Sequence, residues 1–568
     1  MTMVPARPSL LTPPVLWGLA SLAAIALSLA AAGLFQQELF NPGGLPQLGR
    51  FFRASLQPDL SREMLQLTVQ ASLVTLAYAV CGTFLSLLLG LLGGVVMSEV
   101  WWQAVLPQRR QLQPPPIWFG LRAFLAVPRA IHEVIWGLFF LNLWGLDPLT
   151  AILAIALPYG AIVAKVFSEI LDETPRQPLQ ALLNSGAPPF SAFCYSLLPQ
   201  AFLNLLSYSF YRFECAIRSA AVLGIIGAGG LGYQMLLSLQ SLRYEQLWTF
   251  FYAMFVLNGL VDFSSAWLRR RWGCASRLDL NASAAPTTRT IASNTPSFAV
   301  YQPLNQGLAL LLVGLIAFCF WYIQPDFSKL WAPRTGQLLT DLLHACWPPD
   351  WSQGWQLVKL SADTVAMSVL AIALSATVGL LLAFPAAHNF FLPGGLLNPT
   401  AGKNASLLPQ ILFLLSRAIL LMGRAIPAPI WALVVLFVLF PGILPGAIAL
   451  ALHNLGILGR LMAEVIENLD QRPLLALQTT GAPASLVFLY GVLPLTMPRF
   501  LSYSLYRWEV CMRETVIVGL VGAGGLGRLL TEQLSSFDYQ GLMATLTCFL
   551  VLTFGVDWVS ASARRSLR

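Results

Sequence analysis

One stretch of sequence occurs twice in this chain. Residues 180–199 read QALLNSGAPPFSAFCYSLLP, and residues 475–494 read LALQTTGAPASLVFLYGVLP. Aligning Gly186 with Gly481 gives a displacement of 295 positions (481 − 186 = 295), and the same displacement aligns the closing prolines of the two stretches. The chain therefore contains an internal duplication, and the fold must account for it.

The duplication extends well beyond this stretch. At the same displacement, residues 206–232 and 501–527 are identical at 15 of 27 positions, and both end in GAGGLG. This is more identity than a shared apolar composition explains. We therefore interpret the chain as two copies of one unit.

The composition places the chain in a lipid bilayer. Of its 568 residues, 57% are hydrophobic and only 10% are charged, and the mean hydropathy is +0.69. These are too few charges to cover a soluble protein of this size. Uncharged runs long enough to cross the hydrocarbon core recur, among them 15–35 and 364–387. The runs lack the alternation of barrel strands, so we expect membrane helices.

Charge and cysteine content exclude several other classes. A net charge of +8 would suggest nucleic-acid binding in a soluble protein, but arginines on the cytoplasmic side of membrane helices explain it here. The eight cysteines show no paired spacing, so neither a metal site nor a disulfide framework is expected. The first apolar segment is long for a signal peptide and lacks a clear cleavage site, so we expect it to be retained.

We expect about twelve membrane spans, six in each half. Those of the first half lie near 13–35, 65–98, 121–143, 150–170, 200–226 and 247–268. Those of the second half lie near 304–324, 358–386, 411–439, 443–465, 495–521 and 541–562. A polar segment rich in serine, threonine and alanine separates them, as is typical of a flexible linker. The expected division is a first unit at 1–268, a linker at 269–300 and a second unit at 301–568.

The arginine clusters predict the orientation. An even number of spans gives both units the same direction, a parallel repeat. Arginines cluster after spans six and twelve, at Arg269, Arg270, Arg271, Arg564, Arg565 and Arg568. The positive-inside rule makes these clusters, the linker and both termini cytoplasmic. The duplicated stretches then lie in the cytoplasm, between spans four and five and between spans ten and eleven, with the GAGGLG segments at the outer ends of spans five and eleven.

The duplicated stretches have the pattern of two short helices joined by a turn. Each begins with a short apolar helical face, continues to a glycine that permits a tight turn, and has a proline, Pro188 or Pro483, expected to end the first helix. Short helices with exposed apolar faces in water need a partner groove. The alternative is that they fold back on their own bundle, but the presence of two copies favours docking.

These stretches resemble the coupling loops of ABC-transporter permeases, whose pattern is Glu-Ala-Ala, a glycine and then an apolar residue followed by proline. The chain departs from the pattern at Gln180 and Leu475, where the family usually has glutamate. The resemblance implies that loops 171–199 and 466–494 bind an ATPase. The residues so implied are Gln180, Ala181, Leu182, Gly186, Pro199, Leu475, Ala476, Leu477, Gly481 and Pro494.

GAGGLG is a second duplicated motif. Read loosely it has the spacing of a dinucleotide fingerprint, but it follows a membrane helix rather than a strand, so that interpretation fails. Glycines at this place permit a bend or tight packing. The motif is also typical of methionine, osmoprotectant and phosphonate permeases with the type I importer fold. Its glycines are Gly227, Gly229, Gly230, Gly232, Gly522, Gly524, Gly525 and Gly527.

The second half is similar to phosphonate and phosphite permeases along nearly all of 358–568, and the first half matches more loosely. It departs at His132 and Glu133, where the second half has Pro427 and Ala428. The resemblance implies an all-α polytopic membrane protein, with two tandem parallel repeats of a type I ABC importer permease fused in one chain. It also implies a bacterial cytoplasmic (inner) membrane location.

Charged side chains within the membrane are candidates for the translocation path or for ion pairs. They are Arg212, Glu214, Arg218, Arg507, Glu509, Arg513, Arg129 and Arg424. In spans five and eleven the glutamate has an arginine four residues later, so an intrahelical ion pair is expected. Arg212 and Arg507 have no such partner, and a guanidinium can bind phosphonate oxygens through two hydrogen bonds. Arg129 and Arg424 fit either a pathway or a helix end near lipid head groups. We interpret His453 as a packing residue.

The expected function is that of a permease component rather than an enzyme. The chain lacks a phosphate-binding P-loop, so ATP and Mg would be used by a partner and no cofactor is bound here. The implied partners are two ABC ATPase subunits, a substrate-binding protein and the lipid bilayer. The expected cargo is phosphonate, phosphite or a related oxyanion. The alternatives are a permease for methionine or quaternary amines, and a twelve-helix secondary transporter driven by an ion gradient.

Overall fold

The computed structural model of the protein describes residues 13–34, 39–105, 116–272, 303–392, 395 and 407–566. Most of the predicted linker and both chain ends lie outside these residues.

Most of the described chain is helical. The helices of the first half are α1 (Pro13–Ala31), α2 (Leu45–Ala54), α3 (Arg62–Met97), α4 (Glu99–Val105), α5 (Pro116–Ala130), α6 (Glu133–Trp144), α7 (Pro148–Glu173), α8 (Gln177–Asn184), α9 (Pro189–Ala192), α10 (Leu198–Leu223), α11 (Gly230–Gln240) and α12 (Tyr244–Arg271). Those of the second half are α13 (Pro303–Ile323), α14 (Pro333–Ala345), α15 (Gly354–Ala386), α16 (Leu407–Ala425), α17 (Ala428–Val435), α18 (Ile443–Glu467), α19 (Arg472–Thr479), α20 (Ala484–Val487), α21 (Leu493–Gly519), α22 (Gly525–Ser535) and α23 (Tyr539–Ser566).

The apolar helices confirm the all-α polytopic fold class. Within the described residues, eight helices are long and apolar enough to cross a membrane, and two bent pairs raise the number to ten. Two shorter apolar helices, Val15–Ala31 and Gly307–Ile323, lie at predicted spans one and seven. Each of the predicted spans therefore corresponds to one helix or to two helices joined at a break.

Predicted spans three and nine are not single straight helices. Helices α5 and α6 meet at an angle of 86°. His132 caps the start of α6, since its Nδ1 accepts a hydrogen bond from the Val134 amide at 3.3 Å. In span nine, α16 ends at Ala425 and Pro427 is the N-cap of α17. Each break comes from residues that start a new helix, a local signal that apolar content alone does not reveal.

Close helix contact in each unit depends on small residues. Helix α3 packs along α7, and a Cβ at Gly90 would lie 2.3 Å from Val163 Cγ1. Helix α15 packs in the same way along α18, where Gly379 lies against the backbone of Gly459. Without side chains at the contact, the two backbones approach closely and gain van der Waals contact that lipid would not supply.

Packing divides the chain differently from the predicted boundaries. One compact unit is Gln57–Asp341, and the other joins Leu342–Arg568 to the N-terminal residues up to Leu56. The cause is that α1 packs on α15 of the second half, whereas α13 packs on α3 of the first half. The first span of each sequence half thus belongs to the packing unit of the other half.

The segments that follow these exchanged spans are held by equivalent loops. In one unit, the Asn41 amide donates to the Val438 carbonyl at 2.7 Å. In the other, the Trp144 indole donates to Thr335 Oγ1 at 3.1 Å, and Lys329 forms an ion pair with Asp147. The loops that receive them, near 438 and near 144, correspond to each other at the displacement of 295 residues. The exchange is therefore reciprocal.

Candidate functional site

Both duplicated stretches fold as predicted into two short helices joined by a turn. In the first copy α8 and α9 are followed by a π-helical turn, Phe193–Leu197, that leads into α10. In the second copy α19 and α20 are followed by the π-helical turn Phe488–Val492 and by α21. The two copies therefore share one geometry, although most of their side chains differ.

Glycines, not prolines, end the first helix of each stretch. Gly186 has φ +90° and Gly481 has φ +83°, a left-handed conformation that residues with a Cβ rarely adopt. In the first copy the Ala187 amide donates to the Leu182 carbonyl at 3.1 Å, which closes a Schellman-type helix end. The prediction that Pro188 and Pro483 end this helix was wrong, because each is the N-cap of the following helix.

Each stretch is anchored on one side and open on the other. Leu179 and Leu474 are 3% and 1% exposed and hold α8 and α19 to their units. Several neighbouring apolar side chains are largely exposed, namely Phe190, Tyr195, Leu475, Leu486, Leu489 and Tyr490. An anchored segment with an open apolar surface has the properties of a docking surface.

Most of the predicted coupling residues are exposed. Exposed positions among them are Gln180, Ala181, Gly186, Pro199, Leu475, Ala476, Gly481 and Pro494, whereas Leu182 and Leu477 are half-buried. A Cβ added at Gly186 or Gly481 would have no heavy atom within 4 Å. These two glycines are therefore required by backbone conformation and not by lack of space.

A repeated ion pair fixes the base of each stretch. Arg122 lies 3.8 Å from Asp172, and Arg417 lies 2.6 Å from Glu467. Both acidic residues lie at the end of the helix that enters the stretch, and both arginines belong to the helix before the break. His388 adds a second contact, donating its backbone amide to Glu467 Oε1 at 3.0 Å. These pairs set the direction in which the chain leaves the bundle.

The GAGGLG segments form breaks at which one helix ends and another begins. Gly227, Gly229 and Gly230 have φ of +106°, +91° and +73°, and the second copy repeats the pattern. The α10 and α11 segments bend by 58° at this point. The predicted bend is therefore present in the structure. A Cβ at Gly232 would lie 1.7 Å from the Ala221 carbonyl oxygen, so the two segments also pack without a side chain between them.

A threonine caps the second segment of each break. Thr75 Oγ1 accepts a hydrogen bond from the Leu231 amide at 2.8 Å, and Thr364 Oγ1 accepts one from the Leu526 amide at 2.9 Å. Amides in the first turn of a helix have no partner within the helix, and these hydroxyls supply one. The cap also ties each break to the long helix at the start of its unit, α3 or α15.

The glutamates of spans five and eleven are paired between helices. Glu214 Oε1 accepts from Arg269 at 3.1 Å and from Ser265 at 2.5 Å. Glu509 lies 2.6 Å from Arg564. Sequence spacing indicated pairs with the arginine four residues later. Instead, Arg218 donates to Cys215 Sγ at 3.3 Å, and Arg513 donates to the Glu509 backbone carbonyl at 3.4 Å.

Arg507 belongs to a closed polar cluster. Its Nη2 donates to Glu514 Oε1 at 2.6 Å, and its Nε donates to Asn454 Oδ1. Asn454 in turn donates to Glu514 Oε2 at 3.0 Å. Asn454 and Glu514 are buried and the Arg507 side chain is 12% exposed. The three side chains bond to one another, and the positive charge is neutralised in place.

Arg212, the counterpart of Arg507, is held differently. It is 8% exposed, and its guanidinium carbon lies 4.2 Å from the ring centroid of Tyr159 and 5.9 Å from that of Tyr208. Among the described residues, no carboxylate lies within ion-pair distance of Arg212, and its Nε has no hydrogen-bond partner. Burial of an arginine in a bilayer costs about 2.5–3.5 kcal/mol, whereas a cation–π contact returns about 0.5–2 kcal/mol.

The carboxylate of this unit is at a different position. Ser219 donates to Glu133 Oε1 at 2.6 Å, and Ser219 Oγ lies 2.5 Å from the Tyr159 hydroxyl. Because the Ser219 proton is directed at Glu133, the Tyr159 hydroxyl is the donor to Ser219. These hydrogen bonds link Tyr159 through Ser219 to Glu133. Arg212 does not take part in them and lies over the Tyr159 ring.

Sequence reasoning missed most of these partners. They form two pairs at the displacement of 295 residues, Tyr159 with Asn454 and Ser219 with Glu514, and the carboxylate of Glu133 has no equivalent because residue 428 is alanine. Comparing the two halves position by position would have revealed the exchange. Examining residues four positions apart within each helix did not reveal it.

Arg129 and Arg424 lie in the last turns of α5 and α16, immediately before the breaks in spans three and nine. A cation at this place interacts favourably with the C-terminal end of a helix dipole. His453 Nδ1 lies 3.3 Å from the Ile426 carbonyl, which agrees with its interpretation as a packing residue.

Comparison with known proteins identifies the family of the two repeats. A family described as "Binding-protein-dependent transport system inner membrane component" matches residues 114–273 and 401–568, together more than half of the chain. The chain belongs to this family. It is therefore a transport permease component with two permease repeats, and each match contains one duplicated stretch and one GAGGLG segment.

Several relatives of the permease have names that refer to phosphorus compounds. It is 28% identical to the "Phosphate-import permease protein PhnE" of Mycolicibacterium smegmatis, over 82% of this chain and 81% of that protein. It is 30% identical to the "Phosphite transport system permease protein PtxC" of Stutzerimonas stutzeri, over 46% of this chain and 89% of that protein. It is also 38% identical to a "Putative cryptic phosphonate transport system permease protein PhnE2" of Escherichia coli K12, over 21% of this chain and 97% of that protein.

A solved structure is also similar to part of the permease. One chain from the inward-facing conformations of the MetNI methionine ABC transporter matches 37% of this permease and 98% of its own length, at 21% identity and a TM-score of 0.33.

Proposed function

We propose that the permease carries phosphonate, phosphite or a related phosphorus oxyanion into the cytoplasm, and that this one chain supplies both permease units of a binding-protein-dependent importer. The named relatives handle phosphate, phosphite and phosphonate, which share a tetrahedral phosphorus centre bearing anionic oxygens. Such a cargo can be bound through several N–H donors at once.

The partners in this proposal are two ATPase subunits, which use ATP and Mg, and a binding protein that delivers the anion to the outer face. The proposal rests on the two duplicated stretches, residues 180–199 and 475–494, which we call the coupling segments. Each is anchored by one buried leucine and has exposed apolar side chains beside a left-handed glycine. Two equivalent docking surfaces suit two equivalent ATPase subunits.

The proposed orientation has both coupling segments and both termini in the cytoplasm, and the GAGGLG breaks at the outer ends of spans five and eleven. Arginines in the last turn of α23, Arg564 and Arg565, support it. Cysteine accessibility in intact cells tests this orientation. If a reagent that cannot cross the membrane labelled a cysteine at position 186, this residue would face the outside and the proposed orientation would be wrong.

Reconstitution tests the function as a whole. Proteoliposomes that contain this chain, the ATPase and the binding protein are expected to accumulate radiolabelled phosphite, phosphate or methylphosphonate only when all three proteins and ATP are present. Uptake by this chain alone under an ion gradient would establish the secondary-transporter alternative. Uptake of methionine or glycine betaine, with none of the three phosphorus compounds, would establish the other permease class.

The variant Gly481→Glu tests the docking surface. We expect it to insert normally and to lose ATP-driven uptake, because a charged side chain would project from an apolar surface on which nothing lies within 4 Å. Gly481→Ala is the matched control, since alanine meets the same backbone strain, about 1–2 kcal/mol, without charge or bulk. Equal uptake by both variants would count against ATPase docking at this segment.

A further inference from the structure

We propose that Arg212 binds the oxyanion during transport and that its counterpart Arg507 does not, so that the two permease repeats contribute unequally to the pathway. This inference rests on the proposed function, because it takes the cargo to be a phosphorus oxyanion. It goes further in assigning one residue in one repeat. The two arginines occupy equivalent positions on α10 and α21, so the difference comes from their surroundings.

Arg507 already uses the N–H donors along one edge of its guanidinium, and its charge is paired. Its Nε and one Nη are directed at Asn454 and Glu514, and Glu514 neutralises its charge. An oxyanion that bound this edge would have to displace a carboxylate that is already in place. It would also leave that buried carboxylate beside a second negative charge, an arrangement that opposes binding.

Arg212 has the opposite properties. Its guanidinium carbon lies over the rings of Tyr159 and Tyr208, so its charge is balanced by aromatic rings and not by a carboxylate. The Nε is buried and, within the described part of the chain, has no acceptor. In-plane donors on a fixed guanidinium are the geometry that binds two oxygens of a phosphorus oxyanion.

The position of the carboxylate completes the argument. Glu214 and Glu509 pair with α12 and α23. Apart from them, the described part of each repeat has one of the equivalent arginines, Arg212 or Arg507, and one further buried glutamate in this region. In the second repeat they touch, whereas in the first the glutamate is Glu133, which accepts its hydrogen bond from Ser219. The chain from Tyr159 through Ser219 satisfies Glu133 without Arg212. The first repeat therefore keeps a positive charge available for a ligand.

Access to Arg212 requires motion, because the side chain is 8% exposed in this conformation. The contacts that cover it are the stacked rings of Tyr159, on α7, and Tyr208, on α10. Separation of α7 from α10 would remove Tyr159 from the guanidinium. It would break the Tyr159–Ser219 hydrogen bond but no ion pair. Rearrangement around Arg507 would have to break one, so only the first repeat can open at this point with little electrostatic cost.

The first test compares Arg212→Gln with the double variant Arg507→Gln/Glu514→Gln in proteoliposomes with the ATPase and the binding protein. Arg212→Gln is expected to lower phosphite uptake by about 10- to 100-fold, the loss typical of removing a charge-assisted hydrogen bond. The double variant, which removes both charges of the closed cluster, is expected to keep uptake within about threefold of the natural protein. Arg212→Lys keeps the charge but not the planar donors, so its phosphite uptake should lie between those of the other two variants.

The second test transfers the closed cluster to the first repeat. Ser219→Glu places a carboxylate seven residues after Arg212, as Glu514 is placed after Arg507, and is expected to reduce uptake as strongly as Arg212→Gln. Ser219→Gln is its uncharged control and should reduce uptake less. Thermal unfolding in detergent and ATPase stimulation by the loaded binding protein show whether each variant is folded and still coupled.

The outcomes separate the inference from the proposed function. If the natural protein accumulates none of phosphite, phosphate and methylphosphonate, the proposed function fails. If it accumulates one of them and folded Arg212→Gln does so at the same rate and the same half-saturating concentration, the function stands and the role of Arg212 is refuted. Loss of uptake in the Arg507→Gln/Glu514→Gln variant, with normal folding and ATPase stimulation, would refute the inequality between the repeats.

Discussion

The state of a buried arginine in this permease is decided by which neighbouring position carries the carboxylate. Glu514 lies seven residues after Arg507, two turns along the same face of α21, and contacts it directly. In the other repeat the equivalent position is Ser219, and the carboxylate has moved to the start of α6. Differences at three pairs of equivalent positions, Tyr159/Asn454, Ser219/Glu514 and Glu133/Ala428, therefore distinguish a neutral cluster from one whose arginine has no carboxylate partner among the described residues.

Glu514→Ala tests the energetic importance of the closed cluster. Removing one partner of a buried ion pair leaves the other charge uncompensated, and we expect a loss of about 3–5 kcal/mol in the free energy of unfolding. The double variant Arg507→Met/Glu514→Met should recover most of that loss. Thermal unfolding in detergent measures both. A double variant no more stable than Glu514→Ala would show that packing, and not charge, holds the cluster.

Single-residue roles were the least predictable part of the molecule. The sequence indicated which arginines lie in the membrane, because charges are conspicuous in apolar runs. It did not indicate that Glu214 and Glu509 reach α12 and α23, because partners between helices depend on helix rotation and crossing, which apolar spacing leaves open. The proposed roles of these residues in transport remain predictions.

At the level of elements, the break at the GAGGLG segment is built in the same way in both repeats. A run of positive-φ glycines ends the long helix, and a threonine hydroxyl from the long first helix of the unit caps the next one. The glycines were recognisable as a bend because GAGGLG follows an apolar helix. The capping threonines were not, because each lies more than 150 positions away along the chain.

Gly230→Ala tests whether the break depends on close contact as well as on backbone conformation. A Cβ at this position would lie 2.5 Å from Thr75 Oγ1, so we expect the variant to lose about 1–3 kcal/mol from overpacking in addition to left-handed strain. Gly522→Ala, in the second GAGGLG segment, is the control, since Gly522 also has a positive φ (+92°) but no atom lies within 4 Å of the added Cβ. Equal melting temperatures for the two variants would show that the contact between the added Cβ and Thr75 does not affect stability.

The Thr75→Ala substitution extends this test to a double-mutant cycle. It removes the hydroxyl that the new Cβ would meet, so Gly230→Ala should be less harmful in the Thr75→Ala background than in the natural protein. The difference between the two effects measures the coupling of α3 to the break. Strictly additive effects would mean that α3 and the break are energetically independent.

At the level of the whole molecule, the sequence predicted the duplication, the number of apolar segments and the fold class, because each follows from composition and self-similarity. It did not predict that α1 and α13 exchange units. The apolar pattern of a membrane helix indicates that it spans the bilayer, but lipid and protein neighbours are both apolar, so the pattern does not identify the helix it packs against.

Cross-linking tests the exchange. The rings of Phe84 and Phe320 are in contact, with centroids 6.0 Å apart, and Cys81 and Cys319 lie close to them along α3 and α13. With a protease site placed in the segment 273–300, a membrane-permeant bis-methanethiosulfonate should join the two fragments before cleavage, and they should then migrate as one species on a denaturing gel. Cys319→Ser is the control. Fragments that separate completely after treatment would disprove the packing of α13 on α3.

The reciprocal packing of α1 and α13 affects how the protein is made. A ribosome that has translated the whole first half has produced α3 without the helix that will cover it, since α13 emerges only afterwards. Until then, lipid or an insertase must shield that flank, and α1 likewise has no final position until α15 has been inserted. Neither packing unit is therefore complete until helices of both halves have been inserted.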